Sequence, residues 1–398
     1  MSLRCGRFRA SPRSSTFSLA RPMNPRERYL CTLLFQAPDK VPFEPGRPRK
    51  STLERWRREG LPAKVDWFRY LCGVLGIAPG SADDPWGGCL VNFRMNPTFE
   101  EKTLEHRGGH LLVQDWMGNI VEISEEYDFT YLRDPVDFVT RKWHAFVVSN
   151  PQDFEAKIKW RYNPEDPSRY PPDFEELAQE LKGRDFILTM TIPGPFWQLR
   201  DWCGFESLCI MFAEQPDFVR EMLEFWCEFV SRTMARVLDA GIVDRLWINE
   251  DMAYKSKSMI SPRMVREFLQ PVWSRWAREA REAGVRLIDE DSDGYVAELI
   301  PIWIESGINV CDPLEVAAGN DIVAYRRQFG RRMAFRQGID KRAIAKGGEA
   351  IQLEIARIEP VVRDGGYIPG CDHGVPPDIS WEDFVHYSRL LAEITGWL

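Results

Sequence analysis

The stretch Arg286–Gly294, R-L-I-D-E-D-S-D-G, joins an apolar run to a block of acids. Val285, Leu287 and Ile288 have the character of a short buried strand, and a helix-like stretch, Tyr295–Ser306, follows at once. Between them stand Asp289, Glu290, Asp291 and Asp293. Four carboxylates crowded at one strand end repel each other, so the fold must supply a cation, a shared proton or a basic partner. In extended backbone, residues i and i+2 point to the same side. Asp291 and Asp293 are therefore a candidate catalytic pair. The structural alternative is the acid-rich N-terminus of a helix.

The same pattern recurs on both sides of this stretch. Phe186–Ile192 reads as a strand ending in G-P-F-W-Q-L-R-D-W-C-G, and Leu246–Ile248 as one ending in N-E-D-M-A-Y-K. Ile308–Cys311 ends in D-P-L-E, Met333–Phe335 in R-Q-G-I-D-K-R, and Tyr367–Ile368 in G-C-D-H-G-V-P-P-D. Helical periodicity fills the intervals over Pro216–Gly241, Ser261–Gly284, Asp321–Phe329 and Gly347–Asp364, and Ser380 caps a last helix. Strict strand–helix alternation with short connections implies an α/β fold with a parallel sheet. Polar residues at every strand's C-terminal end predict a (β/α)8 TIM barrel with its site at that face. A doubly wound open sheet is the alternative, but no G-x-G-x-x-G follows an early strand.

Upstream, Asn24-Pro25 opens a helix, Val41–Phe43 reads as a strand, and Thr52–Ile77 reads as a helix. The Pro/Gly loop between these last two carries Arg47 and Arg49, and arginine on such a loop can hold an anionic group bidentately. His110–Glu125 predicts a β-hairpin insertion around M-G-N, with Asp115 as a turn residue or a site acid. Residues 150–184 read as a surface excursion with one helix, Phe174–Leu181.

The chain has 398 residues, a net charge of −8 and 44% hydrophobic residues, enough for one large α/β domain or two smaller ones. The acidic balance, without a basic stripe, argues against nucleic acid as partner. No apolar run approaches membrane-spanning length. The 9 Cys show no C-x-x-C spacing, which fits reduced thiols in a cytoplasmic protein. Residues 1–22 carry five arginines and no acid. They resemble a transit peptide, or an extension before a second start at Met23, and are expected to be poorly ordered. Residues 23–398 form the predicted barrel domain.

Strand ends supply the candidate binding residues: Asn249, Glu250, Asp251, Tyr254 and Lys255 after one strand, Gln337 after another, and His373 beside glycine after the last. With these ends aligned, most of 23–398 resembles the uroporphyrinogen decarboxylase (URO-D) superfamily, which includes corrinoid-dependent methyltransferases. M-N-P-R-E-R-Y-L…A-P-D-K-V-P-F is similar to the family's opening, and C-D-H-G-V-P-P to its late G-H-G-I-x-P motif, where His373 takes the place of the site histidine. Arg47 falls on the first arginine of F-M-R-Q-A-G-R, and Ser51 falls near the second. Trp202 stands where the decarboxylases carry a substrate-facing tyrosine. In the methyltransferase branch, Asp291-Ser292-Asp293-Gly294 occupies the place of a zinc-holding H-x-C-G, and Cys371 that of a later cysteine ligand. Two aspartates are harder ligands than the thiolate and imidazole they replace.

The resemblance implies a decarboxylase-like carbon–carbon lyase acting on a carboxylate-bearing small molecule, with a tetrapyrrole as one form. That branch needs no cofactor, and Asp291, Asp293 and His373 would share proton transfer. One alternative is a corrinoid-linked methyltransferase, with a divalent metal on Asp291, Asp293 and Cys371 and a corrinoid protein as partner. Another is a barrel that binds a small molecule without chemistry. Barrels of this family also pair, which makes a homodimer an expectation.

Overall fold

The computed structural model describes residues 22–77, 90–133 and 140–398. The expectation for residues 1–22 lies, apart from Pro22, outside the described residues. The first helix, Pro25–Leu33, starts where its residues dictate: Asn24 Oδ1 accepts Glu27 N at 2.8 Å, and Glu27 Oε2 accepts Asn24 N at 3.0 Å. This reciprocal cap satisfies two backbone donors that the helix itself leaves open.

Two upstream expectations are corrected. Val41–Phe43 is not a strand but extended chain, tied to the last helix by Val41 N donating to the Thr395 carbonyl. The helix expected over 52–77 is two, Lys50–Arg58 and Trp67–Leu75, because Gly60 leaves with φ 115° and Pro62 follows.

Four antiparallel strands come next: β1 (Lys102–Arg107), β2 (His110–Gln114), β3 (Ile120–Ser124) and β4 (Lys142–Ala145), in that spatial order. The β2–β3 connection is built on Asp115, whose Oδ1 accepts Met117 N at 2.9 Å and Asn119 N at 2.8 Å. Asp115 is thus a turn residue. Residues 150–184 also differ from expectation, because Phe154, Ile158 and Tyr162 are core residues. Arg169, also buried, donates to the carbonyls of Asn163, Asn92 and Arg94 at 2.6, 2.9 and 3.0 Å. Charge and proline made this segment read as surface, yet its apolar residues fall at one-turn spacing.

The rest is α/β. Six strands, β5 (Thr189–Pro193), β6 (Arg245–Asn249), β7 (Leu287–Asp291), β8 (Val310–Asp312), β9 (Ala334–Arg336) and β10 (Tyr367–Ile368), form one parallel sheet in sequence order. Helices follow each strand, among them Pro195–Cys203, Pro216–Asp239, Gln270–Glu282, Ile300–Glu305, Ile322–Phe329, Gly348–Asp364 and Trp381–Thr395. The helix expected over Tyr295–Ser306 is only the last of these turns, Ile300–Glu305. Among the described residues the sheet has six strands, not eight closed into a ring. Beyond β10 the N-terminal loop continues the pairing: Val375 N donates to Arg47 O at 2.9 Å and Arg49 N to Val375 O at 3.2 Å. Pro48 and Val375 form a parallel bridge. The two ends of the domain therefore meet beside the strand ends.

Strand alternation sets two faces. Leu287 packs with Tyr29, Leu33, Ile187, Val310, Ala334 and Ile368 in a small cluster on one face, while Ile288 joins the large core under the helices. Asp289 and Asp291 continue the Leu287 face, and Glu290 continues that of Ile288.

Candidate functional site

The strand expected to stop at Ile288 runs on through Asp291, so the acids lie inside β7. Asp289 is 0% exposed. Arg245 of β6 pairs with it and stands 3.5 Å from Asp312 of β8. Arg336 of β9 lies 2.5 Å from Asp312 and 2.8 Å from Glu44. Two arginines, on the strands that flank β7 and β8, thus offset three acids in the floor. Burial still pushes Asp289 up to about 6, against the pull of Arg245.

One layer higher, Asp291 is half-buried, in register with Asn249 on one side and Asp312 on the other. Asn249 Nδ2 donates to its Oδ2 at 2.6 Å. Burial first, then Asp312, Asp293, Asp251 and Asp289, hold Asp291 well above the usual carboxylate range. Its ionisation is thus disfavoured although the side chain keeps some exposed surface.

Beyond the strand end Asp293 has partners of its own, different from those of Asp291. Asp293 N donates to Asp251 Oδ1 at 3.0 Å, and Asp293 Oδ2 faces His373 Nε2 at 3.2 Å. On the other side of the ring, Arg49 Nη2 stands 3.0 Å from His373 Nδ1. The hydrogen bond to Asp293 raises His373 above its ordinary value, while burial and Arg49 pull the other way. Asp251 has φ 49° directly after β6, and it is pushed up by burial and then by Asp293. Glu315 and Lys341 close the far rim: Lys341 Nζ donates to Glu315 Oε1 at 3.2 Å, and Glu315 Oε2 accepts Gly294 N at 3.0 Å.

Glu250 differs from expectation. It is fully buried and points away from the mouth, accepting Trp273 Nε1 at 2.8 Å and Trp197 N at 2.9 Å. Gly194 is required there, since a Cβ would lie 2.2 Å from Glu250 Cδ. Burial pushes Glu250 up to about 8, and the equally buried Glu290 is raised well above its usual range, first by burial and next by Glu250.

Trp202 also differs: it is 0% exposed, with Tyr162, Phe154 and Trp226 rings at 5.5, 5.4 and 5.8 Å, and its Nε1 donates to Tyr162 OH at 3.3 Å. It is core, not a substrate-facing ring. Tyr254, 51% exposed, stacks its edge on Phe205, and Lys255 is exposed beside it. Arg47 lies exposed at the rim. Gln337 holds φ 62° after β9, and its N–H donates to the Ile368 carbonyl.

The metal set taken from the resemblance does not fit. Among the described residues no group of three or more His, Cys, Asp or Glu side chains is arranged to hold a metal ion. Asp291 is engaged by Asn249, and Asp293 faces His373. Cys371 is fully buried against Gly46, with its thiol pushed up to about 12 by burial and by Asp372.

Sequence reasoning left out Arg245, Arg336 and Glu315, took Lys341 only as one of the polar residues after the Met333–Phe335 strand, and used Arg49 only as a loop cation. The spacing offered one signal for Arg49: it lies two residues from Arg47, so extended backbone sends the two side chains the same way.

The sequence profile of the family described as uroporphyrinogen decarboxylase (URO-D) matches residues 156–391, more than half of the chain. The chain belongs to the uroporphyrinogen decarboxylase family. No curated protein matches it by sequence. Among solved structures, this URO-D chain is similar to a methyltransferase from Methanosarcina mazei, with 14% identity and a TM-score of 0.55, over 94% of this chain and 98% of that one. That likeness shows the shared fold. A B12-independent methionine synthase from Shewanella sp. W3-18-1 matches at 12% identity and a TM-score of 0.37, over 56% of this chain and 65% of that one. Among the described residues of the URO-D chain, no helix is long and apolar enough to cross a membrane.

Proposed function

We propose that this URO-D family protein is a decarboxylase-like carbon–carbon lyase acting on a small molecule that bears a carboxylate, with a tetrapyrrole as the form the family name suggests. The same reading takes the six-stranded sheet as part of a closed (β/α)8 barrel, with the 45–49 loop pairing across its seam. The observation that carries it is the place of Asp291: a partly exposed acid at the C-terminal end of β7, held by Asn249, with burial and four other carboxyls disfavouring its ionisation. In the step it serves, the bond from the substrate carbon to its carboxylate breaks, and carbon dioxide leaves. The bonding electron pair stays on that carbon, and the Asp291 proton goes to it. Asp291 then takes a proton from solvent. In this reading Arg47 holds the substrate's anionic groups, and His373 orients Asp293 through the 3.2 Å contact between them.

The test is carbon dioxide release from a panel of carboxylated substrates that includes uroporphyrinogen. Release by the wild type, lost in Asp291→Asn, is expected. Tight binding without release would instead support a binding barrel.

The likeness to a methyltransferase over nearly the whole chain supports a second reading, methyl transfer with a corrinoid protein as partner. Its metal would need Asp291, Asp293 and Cys371 to converge, which the geometry above does not favour. Metal analysis together with corrinoid-dependent turnover separates the two readings. A homodimer in solution belongs to either and is checked by sedimentation.

A further inference from the structure

The contact between Arg49 and His373 bears on which ring nitrogen of His373 carries the proton. A guanidinium has only N–H groups to offer, so the ring nitrogen facing it must be the acceptor. Arg49 Nη2 lies 3.0 Å from His373 Nδ1. In the neutral ring the proton then sits on Nε2, which lies 3.2 Å from Asp293 Oδ2 and donates to it. Arg49 is itself held in place. Its N–H donates to the Val375 carbonyl at 3.2 Å, one residue past Gly374. The Arg49 side chain packs over Gly374, where a Cβ would lie 3.4 Å from Nε, an ordinary contact distance.

We propose that Arg49 is a positioning residue: it fixes His373 as the Nε2–H tautomer and so makes the imidazole a hydrogen-bond donor to Asp293. The contact from Arg49 through His373 to Asp293 crosses the seam where the two ends of the domain meet. Were the tautomer reversed, Nδ1–H would oppose the guanidinium donor, and Nε2 would present a lone pair to the Asp293 carboxylate. The catalytic consequence of this tautomer rests on the lyase reading of this site, but the tautomer itself does not depend on any activity.

The test is nitrogen NMR of the protein labelled with [15N]histidine, which has 5 His, with the His373 signals assigned by their loss in His373→Gln. In the unliganded wild type, at a pH where the ring is neutral, Nε2 should carry the proton and Nδ1 should be bare. Arg49→Met keeps an unbranched stem without a donor, and should give a mixture of tautomers at His373 alone. Arg49→Lys, also a pure donor, should restore the wild-type pattern. A wild type with its proton on Nδ1, or an Arg49→Met spectrum identical to wild type, overturns the proposal. If Arg49→Met does not fold, the wild-type and Arg49→Lys spectra still decide it. Absence of carbon dioxide release would count against the lyase reading and leave these spectra as they are. Where turnover is found, Arg49→Met should lower kcat at least tenfold, and Arg49→Lys should recover most of it. A structural role for Arg49 would move neither the tautomer nor that rescue.

Discussion

Asn249 and Asp291 stand opposite each other in register on β6 and β7, and the Asn249 amide donates to Asp291 Oδ2 at 2.6 Å. An amide N–H serves a carboxylic acid as well as a carboxylate, so one oxygen is satisfied whatever the other carries. Asp291→Asn should therefore keep this bond through its own carbonyl oxygen. Asp291 binds its proton more tightly in the fold than in the unfolded chain, so its contribution to stability is lost as pH rises from about 4 toward its elevated value. The substitution removes that loss. At pH 7 the melting temperature should be equal or higher and turnover should vanish. A clear fall in melting temperature with turnover retained would refute the acid role.

Asp293→Asn tests the neighbouring link. The hydrogen bond to Asp293 is the largest influence raising His373, so its removal should lower the His373 titration point toward or below the ordinary histidine value. A raised histidine contributes stability that is present below its unfolded value of 6.5 and fades as pH rises through the folded one. Asp293→Asn should therefore be less stable than wild type near pH 5 and equal to it near pH 9. The His373 titration, followed by NMR beside melting curves at the two pH values, checks both parts. An unchanged titration would show that the 3.2 Å contact is not a working hydrogen bond.

Glu250 makes a different prediction, because its partners are donors. Trp273 Nε1 and Trp197 N each need an acceptor, and Glu250→Gln offers one carbonyl oxygen in place of two acceptor oxygens. Below pH 6 this variant should lose about 1–2 kcal/mol, the scale of one buried donor left unpaired. Glu250 is raised from 4.5 to about 8, so wild type loses stability as pH climbs across that window, and glutamine does not titrate. The gap between variant and wild type should shrink toward pH 8 and beyond. Denaturant midpoints across the window measure it, and a constant gap would mean that Glu250 is ionised throughout.

The order of strands and helices was legible because each short apolar run is bounded by polar residues and followed by a capped amphipathic segment. Strand ends were less legible. The acids of β7 read as a strand's end, since nothing local offsets them, whereas the offset comes from Arg245 and Arg336 on other strands. The meeting of Arg49, His373 and Asp293 was invisible for the same reason, being made by pairing between residue 375 and the 47–49 loop. Polar residues at strand ends marked the C-terminal edge of the sheet, but not which side chains turn instead into the core. Glu250 follows Asn249 by one residue, and that single step sends its side chain under the helices.

Trp202 shows how a position taken from resemblance can mislead, and it supplies a decisive variant. Its ring lies among Tyr162, Phe154, Phe225 and Trp226, with no exposed surface and one hydrogen bond to Tyr162 OH. Trp202→Ala empties that space and should cost about 3–5 kcal/mol, as truncation of a buried large aromatic does. Trp202→Phe keeps much of the ring contact and loses the hydrogen bond, so it should cost less than the alanine change. Because the ring does not reach the mouth, KM and kcat per folded molecule should stay near wild type in Trp202→Phe. A substrate-facing Trp202 predicts the reverse, with KM raised and the melting temperature unchanged. Urea unfolding and steady-state kinetics on this one variant separate a core ring from a binding ring.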